Sequence, residues 1–215
     1  MRPMQPQHTP PARDHWEQVY RTKAPDGVSW YAPHATVSLA LMHQAGLGPA
    51  SAVIDVGGGA STLVDDLLAE GVGALTVLDL SEAALAVSQA RLGPRAEGVQ
   101  WLAADITDVA LPAQAYDIWH DRAVFHFMTT PPARNAYLRA LRAALRSGGH
   151  VVIATFAEDG PERCSGLPVT RYSVPALAAI LGDDFTLLAH QRALHPTPFG
   201  TEQAFNHALF RYQPD

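Results

Sequence analysis

One cysteine, Cys164, stands in the 215 residues of this chain. A lone thiol closes no internal disulfide and supplies no cysteine framework for a metal. Basic charge is also short. The fifteen Lys and Arg residues, of which only Lys23 is lysine, face twenty-one Asp and Glu, for a formal net charge of −6. That balance excludes a general nucleic-acid surface, which draws its affinity from clustered cations. The densest basic stretch runs from Arg134 to Arg146, with Arg139, Arg142 and Arg146 at the spacing of a solvated helix face. The bias to arginine fits a GC-rich bacterial genome. No apolar run approaches the roughly 20 residues that span a bilayer, and MRPMQPQHTPPARD lacks an export core, so a cytoplasmic protein is expected. The ten histidines show no H-x-x-x-H or Cys/His ligand spacing, and no metal is expected.

With 47% hydrophobic residues, 215 positions suffice for one well-cored α/β domain. Residues 1–12 carry four prolines and read as a disordered leader; residues 13–215 form the domain, with 13–47 a helical arm. Helices are predicted from Asp14 to Lys23 and from His34 to Ala45, either side of a Pro-Asp-Gly turn at 25–27. Strands at 52–56, 74–78, 99–104, 116–120 and 150–156 then alternate with helices at about 63–68, 82–92 and 131–146. A loop at 157–172, a helix from Val174 to Leu181 and two strand-like segments, 185–194 and 203–212, end the chain in an antiparallel hairpin.

The most informative segment is AVIDVGGGASTLVDDLLAEGVGALTVLDL, which begins at Ala52. A short apolar strand ends in Asp55-Val56, and Gly57, Gly58 and Gly59 follow, where the backbone can turn sharply and a ligand can approach the peptide groups. A helix comes next, and then a second strand delivers Asp79. A parallel βαβ unit brings both strand ends to one edge, the ligand edge of open α/β sheets. Dinucleotide binders want G-x-G-x-x-G, yet Thr62 occupies the last glycine's place. Asp105 ends the third strand, so Asp55, Asp79 and Asp105 line one cleft, which calls for a positively charged or hydroxyl-rich ligand.

Asp55-x-Gly57-x-Gly59 followed by Asp79 resembles the first two motifs of class I S-adenosylmethionine-dependent methyltransferases. The resemblance implies a Rossmann-like, seven-stranded, mostly parallel sheet ending in the antiparallel hairpin, with helices on both faces and S-adenosyl-L-methionine as cofactor. It implies cofactor contacts from Asp55, Gly57, Gly58, Gly59, Asp79 and Leu80, with Asp105 and Ile106 holding adenine. The segment Ile118-Trp119-His120-Asp121-Arg122-Ala123-Val124-Phe125-His126-Phe127 resembles an Asp-Arg-Gly or Asp-Lys-Gly element after the fourth strand, with Ala123 in place of the glycine. Two branches carry that element: thiopurine S-methyltransferase with its chalcogen-methylating relatives, and lysine methyltransferases acting on elongation factor 1A or citrate synthase. Trp30 and Tyr31, with Trp16 and Tyr20, resemble the arm that closes over the cofactor in those branches.

Methyl transfer needs the acceptor's lone pair in line with the methyl–sulfur bond, and a base where the acceptor arrives protonated. His126 is the candidate base, with Asp121 orienting it or binding a cationic substrate. The plainer readings are a packed, hydrogen-bonded core histidine and a structural Asp121-Arg122 pair. Tyr20, Tyr31, Arg122 and Cys164 are candidate substrate-pocket residues, Cys164 being otherwise a small buried filler. The expected reaction methylates a small sulfur, nitrogen or chalcogen nucleophile; the alternatives are a protein lysine acceptor and a cofactor-binding domain without catalysis. The partner is thus a small molecule or a protein lysine, with no nucleic acid and no membrane, for a monomer or homodimer.

Overall fold

The computed structural model describes residues 12–214. The expected leader lies outside that range except for Ala12, which opens α1 (Ala12–Thr22). After α2 (Thr36–Gln44) come β1 (Ala52–Val56), α3 (Leu63–Ala69), β2 (Ala74–Asp79), α4 (Glu82–Leu92), β3 (Val99–Ala103) and β4 (Tyr116–Arg122). Then follow α5 (Pro131–Ala144), β5 (Leu145–Phe156), the short β6 (Arg163–Cys164) and β7 (Leu167–Pro168), α6 (Val174–Leu181), β8 (Phe185–Pro196) and β9 (Glu202–Tyr212). The seven long strands form one sheet in the order β3-β2-β1-β4-β5-β9-β8. Strands β1 to β5 run parallel, and β9 runs against both of its neighbours, β5 and β8. This is the class I methyltransferase fold. No helix among the described residues is long and apolar enough to cross a membrane.

β1 is buried at every position, as a strand covered on both faces must be. On one face α2, α3 and α4 supply Leu41, Met42, Leu63, Leu67 and Leu85 to a core with Val53, Val77, Ile118 and Val152. On the other, α5 and α6 bring Tyr137, Leu141, Leu177 and Leu181 against Ile54, Trp119, Val151 and Ile153. The strand order reverses between β1 and β4, so the carboxyl ends of these two strands open the crevice where such sheets bind ligands.

Most boundaries shift by only one or two residues from the expected ones, and three of the departures matter. The helix expected to reach Arg146 stops at Ala144, and β5 begins at once with Leu145, carrying Gly148 and Gly149 inside the strand. The expected loop 157–172 contains the β6–β7 ribbon. Most consequential, β4 runs two residues past His120, because Asp121 and Arg122 continue the pairing with Ile153 and Ala154 of β5.

Candidate functional site

Gly57 turns the chain out of β1 at φ +72°, and its N–H, like that of Gly58, donates to the Leu78 carbonyl of β2 (2.7 and 3.2 Å). A methyl group here would collide with the Val124 side chain, and one on Gly58 would collide with the Asp55 carboxylate. At Gly59 the obstacle would be the Asp79 carboxylate. The turn therefore lays bare backbone between the two acids.

Asp55 is buried, and its Oδ1 lies 2.6 Å from His120 Nδ1 on the adjacent strand. His120 Nε2 is 2.9 Å from Ser38 Oγ on α2. Asp55 Oδ2, beside the glycine turn, has no hydrogen-bond partner among the described residues. Asp79 accepts from the Ser81 N–H at 2.8 Å, and burial, reinforced by Asp55, pushes its carboxyl up to about 7. Asp105 is exposed at the end of β3, where one oxygen accepts from Thr107 N–H and its hydroxyl (2.8 and 2.7 Å). Ile106 beside it is buried.

A cavity of about 450 Å³ runs from these acids to the arm. Asp79, Leu80, Asp105 and Ile106 line one end, and Trp16, Tyr20, Trp30, Arg122, Phe127 and Cys164 line the other. A smaller pocket of about 50 Å³ extends it past Asp55, Gly58, Tyr31 and His120. Gly57, Tyr20, Trp30 and Arg122 border both. The roof is aromatic: Trp16 meets Trp30 and Phe127 edge-on (5.6 and 5.4 Å between centroids), and Trp30 Nε1 donates to Tyr20 Oη at 3.2 Å. Cys164 is buried, and its thiol is pushed up to about 12 by that burial.

Residues 53–149 match the methyltransferase domain family. That stretch of the chain matches a methyltransferase domain, set in the class I S-adenosylmethionine-dependent methyltransferase fold. No curated protein is detectably similar to it. Among solved structures, one described for conversion of a disulfide bond into a thioacetal group during echinomycin biosynthesis is 22% identical, with TM-score 0.74 over 94% of this chain and 93% of that one. The Burkholderia thailandensis 1,6-didemethyltoxoflavin-N1-methyltransferase, bound to 1,6-didemethyltoxoflavin and S-adenosylhomocysteine, is 24% identical, with TM-score 0.70 over 94% and 88%. The N-methyltransferase NodS of Bradyrhizobium japonicum, bound to S-adenosylhomocysteine, is 18% identical, with TM-score 0.65 over 83% and 85%. At these identities the likeness is one of fold.

The two residues expected to act on the methyltransferase's acceptor do not line either cavity. Successive side chains of a strand point to opposite faces. Arg122 follows His120 onto the α2 side, whereas Asp121 turns toward α5 and accepts from Tyr137 Oη (2.6 Å) and the Val124 and Phe125 N–H groups (3.0 Å each). Asp121 is thus a staple for the turn after β4 and forms no ion pair with Arg122; burial pushes it up to about 6. His126 is fully buried beside Phe127 and Phe156, with no partner for either ring nitrogen among the described residues. Burial, with the Arg122 charge nearby, takes its imidazole down to about 3. It is packed in the core, but without the hydrogen bonds that the plainer reading gives it. Ala123 stands at φ +71°, a left-handed position that suits the glycine it replaces.

Sequence reasoning missed His120, whose partners Asp55 and Ser38 lie 65 and 82 residues away. It also missed Thr107, although a hydroxyl two residues after an Asp is a local turn signal.

Proposed function

We propose that this chain, a single domain from residue 13 onward, moves the methyl group of S-adenosylmethionine to a small sulfur, nitrogen or chalcogen nucleophile held under its own N-terminal arm. The observation that carries the reading is the aromatic end of the cavity, contiguous with the acid-and-glycine edge through Gly57 and Arg122. Bound there, the cofactor supplies a methyl group activated on a sulfonium. Asp79 is suited to accept from ribose hydroxyls, Leu80 and Ile106 to cover apolar faces, and the free oxygen of Asp105 to accept from an exocyclic amine. The orphan Oδ2 of Asp55 fits an ammonium group at the narrow end, where Gly57 and Gly58 leave the backbone bare; Gly59, packed against the Asp79 carboxylate, lines neither cavity. Trp16, Tyr20, Trp30 and Phe127 exclude water from the transfer, and Cys164 and Tyr31 shape its walls.

Of the Asp121-Arg122 element that, with the acidic balance, motivated a protein lysine acceptor, the Asp121 carboxylate faces α5 and lends that reading no support. Incubation with labelled cofactor and either a metabolite panel or a cell lysate tests the reading. Label in the small-molecule fraction supports it. Label in a protein band favours the lysine acceptor, and label in neither the non-catalytic domain.

A further inference from the structure

The sheet ends on β8, and this edge is unfinished. β9 beside it is buried along almost its whole length, whereas of β8 only Phe185 is buried. Among the described residues the large apolar side chains left exposed are Leu187, Leu188, Leu194 and Phe199, at 37%, 50%, 51% and 67%, and all lie on β8 or in the turn after it. An edge strand presents a row of unpaired N–H and C=O groups, which lysine, proline, inward charge or bulges ordinarily blunt. β8 carries neither lysine nor acid, and its only proline, Pro196, is its last residue. Past the bulge between Leu187 and Ala189 it keeps unbroken register with β9 as far as Pro196. Its one arginine, Arg192, is met by Asp159 of the same chain at 2.6 Å.

From Leu188 to Leu194 the strand reads Leu-Ala-His-Gln-Arg-Ala-Leu, the same in both directions about Gln191 except that His190 answers Arg192. Two copies of one strand related by a two-fold axis run antiparallel, and each residue faces the one equally far beyond the axis. With the axis at Gln191, Leu188 meets Leu194 of the other copy and Ala189 meets Ala193. The two Gln191 side chains meet each other, where an amide N–H of one can donate to the carbonyl of the other. Moving the axis by one residue spoils the match. At His190 it sets Leu188 against Arg192, and at Arg192 it sets two guanidinium groups face to face, which is destabilising.

We propose that the chain forms a homodimer in which β8 pairs antiparallel with β8 of a second copy about Gln191, so that the two seven-stranded sheets continue into one. A second copy is the occupant that the palindrome specifies, since a strand from a different protein requires no symmetry about Gln191. The contact is isologous and uses up the edge on both sides, so assembly stops at two chains. One residue past the palindrome, His195 donates from Nε2 to the Ser29 carbonyl at 2.9 Å. The strand at the dimer seam is therefore also the strand that holds the segment leading into Trp30, which borders both cavities.

Sedimentation of the full chain tests the pairing. The parent should be dimeric within a range of about 1 to 100 µM. Leu188→Glu and Leu194→Lys should each raise the dissociation constant at least about tenfold, because each sets a charge against a leucine twice in the symmetric dimer. Both leucines are exposed, so each variant should keep the parent's circular dichroism and Tm. Mixed in equal amounts, the two variants set the new carboxylate against the new ammonium on one side of the axis and keep a Leu188–Leu194 contact on the other. The mixture should therefore dimerise at least about tenfold more tightly than either variant alone. A parent that stays monomeric at about 100 µM overturns the inference, whether the edge is bare or taken by another protein's strand. A dimer that neither substitution weakens has its interface elsewhere and overturns it too. A mixture no tighter than its components overturns the register about Gln191, and with it the inference.

Discussion

Asp55 at the end of β1 and His120 near the end of β4 meet at 2.6 Å across the switch point of the sheet, both almost wholly buried. Nδ1–H of the imidazole donates to the carboxylate, and Nε2 on the other side of the ring lies 2.9 Å from the Ser38 hydroxyl. The pair fixes one oxygen of Asp55 and leaves the other beside the glycine turn. The acid at the end of β1 is thereby positioned from α2, through His120.

His120→Ala tests that arrangement. Removing the donor leaves a buried carboxylate with an empty position, which costs about 2 kcal/mol for a hydrogen bond to a charged group. Urea unfolding should show that loss, and S-adenosylhomocysteine should bind more weakly. Unchanged stability and affinity together would mean the contact contributes nothing net.

Asp79 makes the stability of the fold depend on pH. Its carboxyl ionises at about 7 in the folded chain against an ordinary 3.8, because burial and Asp55 both disfavour the charge. The native state therefore holds that proton more tightly than the unfolded chain. Its contribution to stability is complete below pH 3.8 and is lost as pH rises through about 7. Asp79→Asn should flatten part of this slope, Asp121 supplying another part, and should be more stable than the parent above about pH 7 by a few kcal/mol. Under the proposed ribose contact the ionised carboxylate is the acceptor, so S-adenosylhomocysteine affinity should fall as pH drops below about 7 in the parent and stay flat, and weaker, in Asp79→Asn. A parent with no such dependence would separate Asp79 from the ribose.

Much of this was legible in the chain before its structure. Asp55, the three glycines and Asp79 are local, because a strand, a turn and a helix written within about thirty residues determine one another. What stayed hidden depends on distant pairing. Ending β4 at His120 leaves Asp121 and Arg122 in a loop, free to share a pocket; their pairing with Ile153 and Ala154 puts them in a strand and sends them to opposite faces. No local pattern shows that Tyr137, sixteen residues on, closes over Asp121, or that Phe156 covers His126.

His126→Phe separates core from catalysis. A general base contributes at least about a hundredfold, so its loss would be plain in kcat. We expect turnover within about twofold of the parent, because the imidazole lies outside the cavity. The substitution also removes two orphan ring nitrogens. The buried imidazole ionises at about 3 against an ordinary 6.5, so the unfolded chain takes the proton first and stability falls as pH drops through that window. His126→Phe should lose part of that acid sensitivity in thermal melts between those limits. A large loss of kcat with unchanged acid sensitivity would return His126 to the reaction.

Ala123 follows β4 directly and stands at φ +71°, where a Cβ atom crowds the backbone. Its N–H donates to the Ala154 carbonyl at 2.9 Å, so the strained residue is tied into the sheet and cannot relax without breaking a ladder bond. Asp121, accepting from Val124 and Phe125 at 3.0 Å each, holds the turn from its other side. Ala123→Gly relieves the crowding, worth about 1–2 kcal/mol in the left-handed region. Glycine's greater freedom in the unfolded chain takes back about 0.4–1 kcal/mol. The net expectation is a gain of about 1 kcal/mol, read as a shift in the urea midpoint at constant slope. Because Ala123 also lines the cavity between Arg122 and Val124, losing its methyl group widens the acceptor end. The variant should therefore accept bulkier acceptors with lower KM, while S-adenosylhomocysteine affinity is unchanged. A destabilised variant would show that the turn holds its positive φ without cost.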